Sequence, residues 1–141
     1  MQNGFRTIIV LGCLLAAGFN ASAQQQGANY DVFVPISKYI SQGNTDALSA
    51  WFADNLDIVV LSKGGNSSRN QAKLLVDAFF SNHTPRSFEV TYTAGRGGMK
   101  YALGNLNAGG ENFLVTIFVN CNTESTGGSS RIQQFKIERM Q

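Results

Sequence analysis

The spacing of hydrophobic positions divides the chain into a helical first part and a strand-rich last part. Apolar residues recur at helical spacing from Tyr30 to Gln42, where Phe33, Ile36 and Ile40 share one face and Tyr39 lies beside them. Pro35 fits only near a first turn, where its missing N–H costs little, so this helix starts late or opens irregularly. Gly43 stands where a left-handed C-terminal cap belongs, and Asn44 or Thr45 can cap a second, short helix with Leu48, Trp51 and Phe52 as its apolar face. Leu56 to Leu61 is a short β-branched run that reads as a strand with Asp57 near its start. Ser62 to Ser67, with Gly64-Gly65, is a turn able to close a small hairpin. Ser68-Arg69-Asn70-Gln71 fits a capping box and opens a third helix to about Asn82, with Ala72, Leu75, Val76, Phe79 and Phe80 forming a stripe wide enough to cover a sheet. His83-Thr84-Pro85 ends it.

From Arg86 to Arg139 the period becomes that of strands, with successive segments separated by glycine pairs and polar turns. Phe88, Val90 and Tyr92 fall on one face of the first, opposite Glu89, Thr91 and Thr93. Gly95-Arg96-Gly97-Gly98 turns the chain, Met99, Tyr101 and Leu103 share a face of the next strand, and Asn107 to Gly110 turns it again. Residues 113–119 are apolar on both faces, the pattern of a central strand covered on both sides. After a polar loop, Thr123 to Ser130, the segment Arg131 to Arg139 sets Phe135 and Ile137 against Gln134, Lys136 and Glu138, which reads as a strand near an edge with one solvated face. Helices first and a run of strands afterwards make an α+β domain.

The N-terminus sets an address. Met1 to Arg6 carries one positive charge, Thr7 to Phe19 is almost wholly apolar, and Ala21-Ser22-Ala23 supplies the small residues of a cleavage site. Together these read as a secretory signal peptide, residues 1–23, followed by one domain, residues 24–141. Val10-Leu11-Gly12-Cys13 loosely resembles a lipoprotein box, but cleavage there would leave the apolar Leu14 to Phe19 at the mature end, so release near Ala23 is the simpler reading. The expected location is therefore the periplasm or the cell surface. No later segment approaches the roughly 18 consecutive apolar residues of a membrane span.

Composition narrows the classes further. The formal charge of +2 falls to +1 once Arg6 leaves with the signal, so no strong field steers the protein toward nucleic acid or an anionic membrane. Cleavage also leaves Cys121 as the single cysteine, which removes an intramolecular disulfide and reads as an inert residue at a strand end.

The order helix, helix, short strand, helix, then four strands, with the Trp51-Phe52 pair on the second helix, resembles the cone-shaped α+β fold of the nuclear transport factor 2-like superfamily. Within it, Phe33-Val-Pro-Ile-Ser-Lys38, Phe79-Phe80, Lys100-Tyr-Ala-Leu-Gly104 and Ile132-Gln-Gln-Phe-Lys-Ile-Glu138 look like domain-of-unknown-function family 4783, small exported proteins found mostly in Bacteroidetes-type bacteria. The resemblance spans nearly the whole mature chain. It implies a curved four-stranded antiparallel meander wrapped around the third helix, a cavity between the sheet and the first two helices, and pairing of two copies through the open sheet face. It implies no activity, because the same cone hosts isomerases, dehydratases, dimeric adaptors and proteins without known chemistry.

Candidate chemistry is thin. The superfamily's acid–base enzymes use a carboxylate and a tyrosine in the cavity, and the nearest matches here are Asp57 and Tyr39. His83 is the only histidine, and no serine or cysteine stands at a spacing that would make it a catalytic base. One histidine and one cysteine are too few for a zinc site. Gly95 to Lys100 runs into a strand instead of a helix, so it is a hairpin turn and not a phosphate loop. The sequons Asn66-Ser-Ser68 and Asn82-His-Thr84 carry no weight in a chain with a bacterial-looking export signal. The aromatic residues Tyr39, Trp51, Phe52, Tyr92 and Tyr101 are the candidates to line the mouth of a cone and hold a flat or apolar ligand. The sequence thus reads as an exported, non-catalytic binding or interaction module with no cofactor or metal. The alternatives are a small-molecule isomerase or dehydratase using Asp57 and Tyr39, and a structural or protein-interaction role through the open sheet face.

Overall fold

A computed structural model describes residues 29–121 and 130–140. The expected signal segment with Cys13, and residues 123–129 of the expected polar loop, lie outside the described residues.

Helix α1, Phe33–Gln42, starts late, as Pro35 requires: proline is its third residue, inside the turn that has no intrahelical N–H partners. Phe33, Ile36 and Ile40 are its buried stripe, and Gly43 closes it at φ 65°. Asn44 caps α2, Thr45–Ser49, its side-chain oxygen accepting from the Ala47 N–H at 3.1 Å. Here the structure corrects the expectation that Trp51 and Phe52 belong to this helix. Phe52 instead opens strand β1, Phe52–Val60, four residues earlier than the β-branched run suggested. Pairing draws it out, because the Trp51 carbonyl accepts from the Ile132 N–H at 2.6 Å and the Phe52 ring packs 6.1 Å from that of Phe135.

Strand β2, Lys63–Ser68, closes the hairpin with β1. The two-residue connection holds Leu61 and Ser62 at positive φ, 51° and 73°, as a tight hairpin of the right twist demands. Gly64 is obligatory beside it, since a Cβ there would lie 2.1 Å from the Ile58 carbonyl oxygen. Ser68 then caps α3, Arg69–Asn82, in the reciprocal arrangement with Gln71 that the sequence predicts.

Four strands follow: β3, Pro85–Arg96; β4, Met99–Ala108; β5, Glu111–Asn120; and β6, Arg131–Arg139. The sheet order is β2-β1-β6-β5-β4-β3, antiparallel throughout except where β1 runs parallel to β6. Among the described residues this α+β architecture of three helices, an early hairpin and a four-stranded meander matches the expected class. It also corrects the position of β6, which lies inside the sheet between β1 and β5. Its polar alternation therefore comes from facing the uncovered side of the sheet, and not from standing at an edge.

The helices cover one face. Against them lie Phe52, Leu56 and Ile58 of β1, Ala102 and Leu106 of β4, Phe113, Val115, Ile117 and Val119 of β5, and Ile132, Phe135 and Ile137 of β6, each at most 2% exposed. Each fully buried Phe, Leu, Ile or Val contributes about 1.5–3 kcal/mol, so this face is where the fold's stability resides.

Candidate functional site

The second face of the same sheet is open. Its side chains alternate with the core set: Leu114, Thr116 and Phe118 on β5, Tyr101 and Leu103 on β4, and Gln134, Lys136 and Glu138 on β6 are all half-buried. No described element of the chain lies over them, which corrects the expectation that β5 is covered on both sides.

A bulge in β3 enlarges this surface. Val90 pairs with Gly104, but Tyr92 pairs with Leu103, leaving Thr91 as an extra residue between them. The alternation slips by one at that point. Phe88 and Val90 face the helices, whereas Tyr92, Ala94 and Arg96 emerge on the open side, so Tyr92 does not share a face with Phe88 and Val90 as simple alternation predicts. Tyr92 is 54% exposed there and packs edge-on against Tyr101 at 6.1 Å, and Tyr101 in turn lies 4.7 Å from Phe118. These three rings form a continuous aromatic strip across β3, β4 and β5.

Beside the strip runs a groove of about 670 Å³ lined by Arg96, Met99, Tyr101, Phe118, Gln134 and Lys136 among others. Its floor is apolar and its two cations stand at opposite ends. Arg96 makes no ion pair among the described residues, while Lys136 lies 3.7 Å from the Glu138 carboxylate. A smaller groove of about 420 Å³ lies between α1 and the helix-facing side of β3, lined by Tyr30, Phe33, Val34, Phe88 and Val90 with others.

The five aromatic residues singled out in the sequence do not come together. Tyr92 and Tyr101 meet on the open face, Phe52 is fully buried on the helix side, and Tyr39 and Trp51 are half-buried against the core. Asp57 sits between buried Leu56 and Ile58, so its carboxylate points to the open side, where it is exposed and accepts from Gln134 Nε2 at 3.4 Å. Tyr39 belongs to a helix on the other side of the sheet. These two therefore do not form a cavity acid–base pair. His83 caps α3, stacked on Phe79 at 4.6 Å and edge-on to Phe113 at 5.3 Å, and Cys121 follows β5 with its N–H donated to the Gly98 carbonyl. No group of three or more potential metal-ligating side chains occurs among the described residues. No helix among them is long and apolar enough to cross a membrane. An electrostatic perturbation lies elsewhere, between α2 and α3: Asp46 and Lys73 pair at 2.6 Å, and their hydrogen bond and mutual charge hold the carboxyl below, and the ammonium above, its usual range.

The family profile described as Domain of unknown function (DUF4783) matches residues 33–138. The chain belongs to the DUF4783 family. Its solved relatives share the architecture: a DUF4783 family protein from Bacteroides uniformis is 24% identical, with a TM-score of 0.68 over 76% of this chain and 95% of that one. A second, from Bacteroides ovatus, is 20% identical with the same TM-score over 76% and 94% of the two chains. An NTF-2 like protein of unknown function from Silicibacter pomeroyi is 15% identical with a TM-score of 0.59, covering 84% of this chain and 98% of that one. At these identities the likeness is one of fold. No curated protein matches the chain.

The residues that sequence reasoning missed are Arg96, Met99, Phe118, Gln134 and Lys136. One signal was available. The apolar residues Leu114 and Phe118 alternate with the buried set of β5, and no described element covers them.

Proposed function

We infer that this DUF4783 protein is an exported binding or interaction module that works through the open face of its sheet. The observation that carries the reading is the aromatic strip Tyr92–Tyr101–Phe118, which no described element covers, beside an apolar groove. Exposed aromatic and apolar side chains grouped this way mark a surface that meets a partner or ligand. The helix-facing side offers less, because Phe33, Ile36, Ile40, Leu48, Phe52 and Phe135 pack there with at most 3% exposure. Export rests on the signal segment at residues 1–23 and makes the periplasm or cell surface the place of action. Among macromolecules the face suits a second copy of the chain, which would cover Phe118, Tyr101 and Tyr92 from both sides about a two-fold axis.

Native mass spectrometry of protein purified from its host tests the reading. Wild type is expected as a dimer or with a retained small molecule, and Phe118→Asp as a bare monomer of unchanged circular dichroism. A bare monomer for both proteins, or an occupant that survives Phe118→Asp, overturns it.

A further inference from the structure

We propose that the groove over Tyr101 and Phe118 binds a flat apolar carboxylic acid, its body on the rings and its carboxylate on Arg96. The proposal rests on the open face being a binding surface and adds the chemistry of its small-molecule occupant. The floor has the right shape: Tyr101 and Phe118 lie 4.7 Å apart with rings tilted by 47°, Tyr92 abuts Tyr101 edge-on, and Met99, 40% exposed, supplies an adaptable wall. A planar apolar body can stack on one of these rings and meet the edge of the next, with Met99 adapting to its outline. At about 670 Å³ the groove falls within the roughly 300–1,000 Å³ of small-molecule sites.

Charge selects the rest of the ligand. Arg96 extends β3 on the same face as Ala94, and Ala94 stands directly opposite Tyr101, so the guanidinium borders the aromatic floor. It has no ion-pair partner among the described residues. A planar guanidinium fits a carboxylate with two parallel hydrogen bonds, which a lysine cannot reproduce. Lys136 adds positive potential at the far end but is already engaged by Glu138 at 3.7 Å. The acids of this face lie outside the groove lining: Asp57 accepts from Gln134, and Glu89 pairs in register with Asn105. A second copy of the chain would bring another Arg96 and another Lys136, and no acid from the floor itself. An anionic small molecule supplies what the groove lacks.

The test is a chemical-shift titration of the exported protein with 2-naphthoate and, separately, its neutral analogue 2-naphthamide. Naphthoate is expected to shift the amides of Ala94, Arg96, Met99, Tyr101 and Phe118 saturably and to bind about five-fold more tightly than the amide. Arg96→Gln, an exposed change that leaves the fold intact, is expected to remove that difference, while Lys136→Gln keeps most of it. Equal binding of acid and amide, indifference to Arg96→Gln, or shifts confined to the groove between Phe33 and Phe88 overturns the proposal. Light scattering on the same samples separates the two levels. A dimer that Phe118→Asp dissociates, without naphthoate binding, removes the ligand and leaves the surface; neither self-association nor binding removes both.

Discussion

The two faces of this sheet are made from the same strands, yet they differ in what holds them. On β5, Phe113, Val115, Ile117 and Val119 are each fully buried, while Leu114, Thr116 and Phe118, one residue out of phase, stay half-exposed. The first set stabilises the fold and the second adds little to it. An apolar residue kept where it contributes little stability has another use, and the contrast assigns folding to one face and recognition to the other.

The contrast can be broken by mutation. Phe135→Ala, on the helix-facing side against Phe52, is expected to cost about 3–5 kcal/mol in urea-induced unfolding. Phe118→Ala on the open side should cost less than Phe135→Ala, because its ring is partly exposed whereas that of Phe135 is fully buried. Equal costs would mean that the open face is part of the core.

Gly104→Ala comes next. A Cβ there would lie 2.3 Å from the Phe88 ring on the helix-facing side, so the ring must shift, at about 1–3 kcal/mol. Removing the ring with Gly104→Ala/Phe88→Ala should cost less than the sum of the single changes. Strict additivity would show that the Phe88 ring does not lie against Gly104 on the helix-facing side.

The smallest effect is expected at Asp46 and Lys73, which touch neither sheet face. Asp46 has its carboxyl held below the usual range by Lys73, so its stabilising contribution is present at neutral pH and lost as pH falls through the depressed value. Lys73 is raised, so its share is present at neutral pH and lost as pH rises through the elevated value. Wild type and Asp46→Asn should therefore differ slightly near neutrality and converge below about pH 4. A gap that widens on acidification contradicts the pairing.

Local features were readable in the residues themselves. Gly43, Asn44 and the Ser68–Gln71 box each act through neighbours within a few positions, and the structure places each as its chemistry demands. Long-range pairing was not readable. Trp51 and Phe52 look helical by spacing, and only the parallel partner β6 pulls Phe52 into a strand. Thr91 carries no mark of a bulge, so alternation alone assigns Tyr92 to the wrong face. The polar residues of β6 signal one solvated face, which a strand inside a half-covered sheet presents as well as an edge strand does. At the candidate site, Tyr101 and its alternation with Met99 were legible, whereas Arg96, Phe118 and Lys136 come from three strands whose order depends on the β1–β6 pairing.

Hydroxyl-radical footprinting of the protein as isolated from its host, compared with Phe118→Asp, tests the division of labour most directly. In the free fold Tyr92 and Met99 are open to solvent, at 54% and 40% exposure, and Phe118 is half-open. The expected result is strong protection of these residues in the wild-type protein, relieved in Phe118→Asp, with Val34 and Leu74 equally reactive in both. Full reactivity of Tyr92, Met99 and Phe118 in the wild-type protein, with protection instead at Val34 beside the smaller groove, would contradict the assignment of the open face as the working surface.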